Sequence, residues 1–152
     1  MKKIFFLSVL ACIMINTSFA QTANSNAIVG VWLVQDGSAK VKIDNVNGKF
    51  MGKIVWLKDP TDKTGKPVTD SKNPDKALRT RPQMGLSLLQ NFIYSGDNVW
   101  NDGTIYDPDG GDTYSCKITF INNETIEVRG YVGISLFGRT ETWKRSSGMA
   151  TN

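Results

Sequence analysis

The amino-acid sequence predicts an all-β domain, a single antiparallel up-and-down β-barrel of about eight strands. Short segments of alternating apolar and polar residues recur along the chain, and Asp-Gly or Asn-Gly turns separate several of them. No long stretch repeats its apolar residues at helical spacing. Because closing such a meander removes its exposed edges, we favour a barrel over the alternative, a two-sheet sandwich.

Residues 1–20 are predicted to be a cleaved signal peptide and therefore not part of the folded domain. Lys2 and Lys3 precede an almost wholly apolar run at residues 4–15, and Ser18-Phe19-Ala20 puts small residues where a signal peptidase cleaves. The run is too short to cross a bilayer, so we expect no integral membrane span. The protein is predicted to be periplasmic or secreted, and residues 21–27 form a polar lead-in.

The composition narrows the classes of function. Without Lys2 and Lys3 the chain has 16 basic and 14 acidic residues and no basic run, so we do not expect nucleic-acid binding. It has no histidine, which removes histidine-activated nucleophiles and histidine zinc sites. We therefore expect no enzyme, no cofactor and no metal. Cys116, the one cysteine after residue 20, is expected to be a buried small hydrophobe.

The first three strands are predicted at residues 28–34, 39–44 and 49–57. The turns between them are Asp36-Gly37 and Asn47-Gly48, both typical of hairpins. Strict alternation across the second strand predicts that one face of the strand is buried and the other is solvated.

Residues 58–82 break this rhythm and are predicted to form a long loop with one short helical turn. Asn73 suits the N-cap, Pro74 the first helical position, and the turn should end near Thr80. Arg79 follows Asp75 by four residues, so the two are expected to pair on one face. Loops of this length are usually functional or mobile.

The remaining strands are predicted at residues 85–94, 98–106, 113–120, 125–132 and 139–145, so the barrel domain spans 28–145 and residues 146–152 form a frayed tail. Val132 is expected to point inward with the other even-numbered residues of its strand. Glycines at 52, 103 and 130 suit tight bends of a barrel. The segment from Asp107 to Asp112 favours a turn over a calcium loop, because its spacing does not match an EF-hand.

Six motifs occur in order over nearly all of the mature chain. They are Gly30-x-Trp32, Gly52-Lys53-Ile54-Val55-Trp56, Asn73-Pro74-Asp75, Arg79 to Gly85, Trp100-x-x-Gly103-x-Ile105-Tyr106-Asp107-Pro108, and Arg129-Gly130-Tyr131 through Gly138-Arg139-Thr140-x-Thr142-Trp143. Together they resemble the DUF2147 family, small exported bacterial proteins of undetermined function. The resemblance implies a lipocalin-like (calycin) barrel and carries over no catalytic residue.

Gly30-x-Trp32 is also similar to the lipocalin signature, in which the tryptophan closes the barrel floor under a basic side chain of the last strand. The resemblance implies that Arg145 or Lys144 stacks on Trp32 here. Gly30, Trp32 and Arg145 are therefore candidates for structural closure of the barrel.

The last strand places Arg139, Glu141, Trp143 and Arg145 on one face. This face has three interpretations: an internal Arg139–Glu141 network, a receptor for an anionic head group with Arg79 or Arg81, or a solvated strand. Aromatic residues suit a half-wet cavity mouth. The candidate ligand-binding residues are Arg79, Arg81, Trp100, Tyr106, Arg139 and Trp143.

The sequence thus indicates an exported lipocalin-like barrel that is a candidate for binding a small amphipathic or anionic molecule. The alternative is a protein-interaction or envelope-structural module with a filled barrel and no ligand. A cavity of several hundred cubic ångströms would distinguish the first from the second. A hydrolase that uses paired carboxylates is the third class.

Overall fold

The computed structural model describes residues 24–147, so the predicted signal peptide, the start of the lead-in and the end of the tail lie outside the described residues. The described chain forms eight β-strands. They are β1 Gly30–Leu33, β2 Ala39–Val46, β3 Lys49–Leu57, β4 Ser87–Gly96, β5 Val99–Asp107, β6 Asp112–Asn122, β7 Thr125–Tyr131 and β8 Gly138–Arg145. No helix within residues 24–147 is long and apolar enough to cross a membrane.

The strands follow one another around a closed barrel in chain order, each antiparallel to the next. Closure depends on a short seam between β1 and β8, where Trp32 pairs with Arg145 and Leu33 with Lys144. The predicted eight-stranded up-and-down barrel is confirmed. Its connections are short except for the segment between β3 and β4.

The alternation read from the sequence sets which side chains form the core. In β2, Ala39, Val41 and Ile43 are buried while the residues between them are partly exposed, as the strict alternation predicts. One half of the barrel is packed solidly. Its fully or almost fully buried side chains are Ile28, Trp32, Ile43, Phe50, Phe92, Trp100, Ile118 and Ile126.

Glycines permit close packing where two strands change register. Gly52 and Gly103 both lie at such irregularities. A Cβ on Gly103 would lie 2.4 Å from atoms of the Phe92 ring, and one on Gly52 would lie 2.8 Å from Leu89 Cδ1. These positions therefore require glycine because a neighbouring core side chain occupies the space, which agrees with the predicted tight bends.

The long connection between β3 and β4 contains a single 3-10 turn, Lys76–Leu78, in place of the longer helical turn expected from Asn73 to Thr80. Asp75, not Asn73, is the N-cap, and its side chain accepts a hydrogen bond from Ala77 N at 2.9 Å. Asp75 and Arg79 form no ion pair in the described chain, because Arg79 Nε donates instead to Asn73 O at 2.7 Å. Asn73 is buried. Its Oδ1 accepts from Asp75 N at 2.9 Å, and its Nδ2 donates to Asp70, as described below.

The expectation that Val132 points inward is wrong. Its side chain is 71% exposed because β7 ends at Tyr131, so the alternation of that strand no longer applies. Residues 132–137 leave the barrel as a connection to β8, and this connection borders the open end described next.

Candidate functional site

A cavity of about 610 Å³ lies in the half of the barrel opposite the packed core. Its walls are apolar side chains that point inward from several strands. They include Ala39, Ile54, Leu57, Leu88, Ile105 and Val128. A volume of this size lies within the range of small-molecule sites in proteins.

Strand connections form the mouth of the cavity. Its lining includes three residues between β1 and β2, Asp59 after β3, residues 107–109 at the end of β5 and just beyond it, and three residues at the β7–β8 connection. The two sets of three are Val34, Asp36 and Ser38, and Val132, Phe137 and Gly138. Because these connections lie at the same end of an antiparallel barrel, the cavity opens at one end. The segment from Asp107 to Asp112 makes the turn that was expected, with Gly111 N donating to Asp107 O at 2.7 Å.

Along the inward face of β8, the side chains change from exposed at Arg139 to buried at Trp143. Arg139 is 82% exposed at the rim, and its Nη2 lies 3.5 Å from Glu141 Oε1. Glu141 Oε2 accepts a hydrogen bond from Trp143 Nε1 at 3.1 Å, and Trp143 is buried. The Arg139–Glu141 pair of the first interpretation is therefore present, but it lies at an open mouth. The third interpretation was a strand whose face is solvated. It describes Arg139, which is exposed, but not Trp143, which is buried.

Arg145 closes the other end of the barrel. Its guanidinium lies 4.1 Å from the Trp32 ring centroid, and it donates to Val29 O at 3.0 Å, to Ala27 O at 2.7 Å and to Asn123 O. Burial lowers the pKa of Arg145, and nearby Glu124 acts in the opposite direction.

Gly30 makes this arrangement possible. Its φ is +139°, and a Cβ there would lie 2.6 Å from Arg145 Nη1. Lys144, the alternative to Arg145 at the sequence level, donates instead to Thr125 Oγ1 at 2.9 Å. Gly30, Trp32 and Arg145 thus form one contact, in which the guanidinium stacks on the indole and also donates to three backbone carbonyls.

A buried carboxylate attaches the long loop to the barrel. Asp70 is fully buried, and its Oδ1 accepts from the Tyr106 hydroxyl at 2.6 Å. Its Oδ2 accepts from Asn73 Nδ2 at 2.8 Å and pairs with Arg81 Nη2 at 2.8 Å. Burial raises the pKa of Asp70, but the hydrogen bonds and the Arg81 charge outweigh it and leave the pKa below its ordinary value. The loop is therefore held in place beside the mouth.

Sequence reasoning selected Arg81 and Tyr106 as ligand-binding candidates but did not identify Asp70 as the residue that binds both. Its partners lie 3, 11 and 36 residues away along the chain. No local pattern marks such an arrangement, since it depends on the fold of the loop over β5. Burial and its bond to Asp70 also raise the pKa of the Tyr106 hydroxyl.

The structure divides the candidate ligand-binding residues between different places. Tyr106, Arg139 and Trp143 line the cavity. Arg81 lines a separate pocket of about 340 Å³ beneath the loop, where Asp70 neutralises it, and Arg79 lies on the exposed loop. The expectation that Arg79 or Arg81 joins Arg139 is therefore not met.

Trp100 is also placed away from the cavity. It is fully buried in the packed half, where its ring lies 6.1 Å from Phe50 in an edge-to-face contact. Its Nε1 donates to Ser25 O at 3.1 Å. Trp100 thus contributes to core packing and to holding the start of the described chain.

Carboxylates surround the mouth, and sequence reasoning did not select two of them, Asp36 and Asp59. The five acidic residues in the cavity lining are Asp36, Asp59, Asp107, Asp109 and Glu141. Hydrogen bonds from Ser38 lower the pKa of Asp36, so this carboxylate is ionised at neutral pH. Residues 24–147 contain no group of three or more His, Cys, Asp or Glu side chains placed to hold a metal ion.

Cys116 lies outside the cavity lining. Cys116 is fully buried, and burial raises its thiol pKa to about 12, so it is inert as a nucleophile in the folded protein.

Arg129 holds the β7–β8 connection by donating to Ser135 O at 2.7 Å and to Leu136 O at 3.1 Å. This leaves Ile134, Leu136 and Phe137 at least 60% exposed beside the mouth.

Comparison with known proteins places this fold in a family. Among solved structures, the chain is similar to protein HP1028 from the human pathogen Helicobacter pylori, which is described as belonging to the lipocalin family. The identity is 26%, the match covers 78% of this chain and 82% of that one, and the TM-score is 0.69. The predicted lipocalin-like fold is thus confirmed. No curated protein matches the chain.

The family model described as an uncharacterized protein conserved in bacteria (DUF2147) matches residues 30–145. That span runs from the glycine of the floor, Gly30, to the arginine that covers it, Arg145. The chain therefore belongs to the DUF2147 family.

Proposed function

We propose that this protein is an exported barrel that binds a small amphipathic molecule in the cavity of about 610 Å³. The observation that supports the proposal is an open-ended cavity inside a closed barrel. Packed protein interiors leave few voids larger than a water molecule, so an unfilled space of this size needs another explanation. A ligand whose apolar part fills the cavity supplies one.

The shape of the cavity supports an amphipathic ligand in particular. Its deep walls are apolar, whereas its mouth carries charged residues and the solvated Arg139. A molecule with an apolar body and a polar head would therefore place each part in a matching environment. The absence of histidine from the sequence supports binding without catalysis.

The pattern of the first 20 residues supports export, as argued from the sequence. We propose that the protein acts in the periplasm or after secretion. Intact-mass and peptide-mass measurement of protein recovered from the envelope fraction or the medium should find a chain that begins at Gln21, as the free amine or as pyroglutamate, if the signal peptide is cleaved. A chain that still begins at Met1 would contradict this part of the proposal.

Native mass spectrometry of protein gently purified from an envelope fraction tests ligand binding. A reproducible added mass that is lost on denaturation is the expected result. A clean mass, retained after incubation with an envelope lipid extract, would contradict the proposal and would favour a protein-interaction role. That second candidate has one observation in its favour, the exposed apolar residues Ile134, Leu136 and Phe137.

A matched pair of variants connects binding to the cavity. Gly130 lies in the lining, and a Cβ there would lie 3.4 Å from Ile105 Cγ2 and 3.7 Å from Tyr114 Cβ. Gly130→Leu should therefore occupy part of the cavity and remove the added mass. Ser115→Leu adds the same side chain at an exposed position of β6 and should retain it.

Ala39→Leu provides a second blocked cavity, built from β2 on another part of the wall. Circular dichroism and thermal unfolding establish that each variant folds before binding is scored. If both folded, blocked variants keep the added mass, the ligand lies outside this cavity and the proposal is wrong.

A further inference from the structure

The mouth of the cavity has the opposite charge balance from the chain as a whole. After residue 20 the chain has 16 basic and 14 acidic residues. The lining, however, contains five carboxylates and only one basic residue, Arg139. Such an excess of one sign around a low-dielectric opening concentrates the field and favours ligands of the opposite sign.

Arg139 already interacts with carboxylates of this mouth. Its guanidinium lies 3.5 Å from Glu141 Oε1 and is 82% exposed to solvent. It also helps to stabilise the ionised form of Asp36, whose pKa is lowered chiefly by hydrogen bonds from Ser38. An anionic head group at Arg139 would displace these interactions and would face the remaining carboxylates.

Aromatic residues accompany the carboxylates in the lining. They are Tyr106, Tyr114, Tyr131, Phe137 and Trp143. Aromatic faces attract cations through their ring quadrupole, and quaternary ammonium groups are recognised in this way. Anions gain nothing comparable from a ring face.

One carboxylate and one indole are held together where the cavity deepens. Trp143 Nε1 donates to Glu141 Oε2 at 3.1 Å, which fixes the carboxylate next to the ring. Trp143 is buried, and the Glu141 side chain is 33% exposed. A charge at this depth is less screened by solvent than the carboxylates farther out on the connections.

We propose that the ligand is a cationic amphiphile, with an ammonium-type head at the Glu141 and aromatic mouth and an apolar body inside the barrel. This inference rests on the proposed function, because it assigns the chemical class of the ligand for that same cavity. It replaces the anionic head group that the arginines of the sequence suggested.

Displacement of a neutral fluorescent probe, N-phenyl-1-naphthylamine, tests the sign of the head group. The competitors are decyltrimethylammonium, decyl maltoside and decyl sulfate, each below its micelle concentration, so that the tail is constant and only the head differs. The cationic head is expected to bind at least tenfold more tightly than the anionic one, and the preference should decrease with added salt. Equal or tighter binding of decyl sulfate would overturn the inference.

The same assay separates failure of the inference from failure of the proposed function. If neither the probe nor any decyl compound binds, the cavity is not an amphiphile site and the proposed function fails. If the neutral maltoside binds as tightly as the ammonium compound, the cavity binds amphiphiles and only the head-group inference fails.

Glu141→Gln tests the residue assigned to the head group. The amide oxygen can still accept from Trp143 Nε1, so the variant removes charge while retaining shape. Affinity for decyltrimethylammonium should fall about fivefold to tenfold, and affinity for decyl maltoside should not change. Glu127→Gln is the matched control, because Glu127 is exposed on β7 and lies outside the lining.

Arg139→Gln should act in the opposite direction and tighten binding of the cation about twofold to fivefold. Weaker binding of the ammonium compound by this variant, or an unchanged preference in Glu141→Gln, would overturn the assignment. Glu141→Gln retains the side-chain volume, so a change in its head-group preference reports charge, and Arg139→Gln shortens only a side chain that is 82% exposed.

Discussion

Two arginines on one face of β8 have opposite environments. Arg145 lies at the packed floor, stacked 4.1 Å from the Trp32 ring centroid and bonded to three backbone carbonyls. Arg139, six residues earlier, is 82% exposed and has one ion-pair contact at 3.5 Å. The same residue type therefore closes the barrel at one end and borders an opening at the other. Position in the fold, more than residue type, determines what an arginine does here.

The difference between the two ends extends to the surrounding side chains. At the floor, large aromatic and aliphatic residues fill the barrel, and Gly30 admits the guanidinium because it has no Cβ. At the mouth, Gly130 has no side chain to occupy the space beside Ile105 and Tyr114. Glycine thus permits close packing at one end and leaves room at the other.

Substitution of Arg145 should produce the largest effect on stability. Arg145→Ala removes donors from the carbonyls of Ala27 and Val29 and uncovers Trp32. We expect a loss of about 3–4 kcal/mol in the free energy of unfolding, measured by urea denaturation. Arg145→Lys, which keeps the charge but not the fork of donors, should recover less than half of this loss. A loss below about 1 kcal/mol for the alanine variant would show that the floor does not depend on this contact.

The Asp70 network should give the next largest effect. Asp70→Asn removes the buried charge that pairs with Arg81 and accepts a hydrogen bond from the Tyr106 hydroxyl. We expect the free energy of unfolding to fall by about 2–3 kcal/mol at neutral pH. The folded pKa of Asp70 is lower than its ordinary value of 3.8, so the carboxylate stabilises the fold above that value. This contribution should disappear as the pH falls through the folded pKa.

Stability curves of both proteins across the acid range check the sign. The difference in the free energy of unfolding between the parent and Asp70→Asn should be constant near neutral pH and should become smaller below about pH 4. Asp75→Asn is a suitable control, because Asp75 lies on the same loop but is exposed. A difference that widens toward low pH would contradict the assignment of Asp70 as a stabilising carboxylate.

Two glycine substitutions compare the packed and open halves directly. Gly103→Ala places a Cβ 2.4 Å from atoms of the Phe92 ring, and we expect it to cost about 2 kcal/mol through overpacking. In Gly130→Ala the nearest atom to the new Cβ is Ile105 Cγ2 at 3.4 Å, and the backbone φ at this position is not positive. The free energy of unfolding should therefore change by less than about 1 kcal/mol. Thermal unfolding of the two variants measures the contrast, and equal losses would show that the mouth is as tightly packed as the core.

Arg139→Ala should have the smallest effect on stability, within about 0.5 kcal/mol, because its ion pair is exposed. Chemical denaturation measures this, in the same experiment as Arg145→Ala. A loss comparable to that of Arg145→Ala would mean that the mouth, like the floor, is structural.

The sequence predicts most of the barrel because its signals are local. Alternation across Ala39, Val41 and Ile43, together with Asn-Gly and Asp-Gly turns, determines strands and hairpins over a few residues. The same locality explains the errors. Asn73 has the right neighbours for an N-cap, but it lies in a buried network with Asp70 that depends on Tyr106, 33 residues away in sequence.

The candidate site could be predicted only in part for the same reason. The shared face of Arg139, Glu141 and Trp143 follows from the strand period. The position of Asp36 and Asp59 beside the other carboxylates of the mouth does not, because these residues lie on separate connections that only barrel closure brings to one end. The separation of Arg81 from Arg139 likewise depends on the loop lying over the barrel wall.

The closed floor has a kinetic consequence for any molecule held in this barrel. With Arg145 and Trp32 sealing one end, arrival and departure use the same passage, past the connections of residues 34–38 and 132–138. A second molecule cannot enter through the closed end and displace the bound one. Exchange must therefore be dissociative, with a release rate that does not rise with competitor concentration. An occupant that leaves must pass the β7–β8 connection, which Arg129 holds in place.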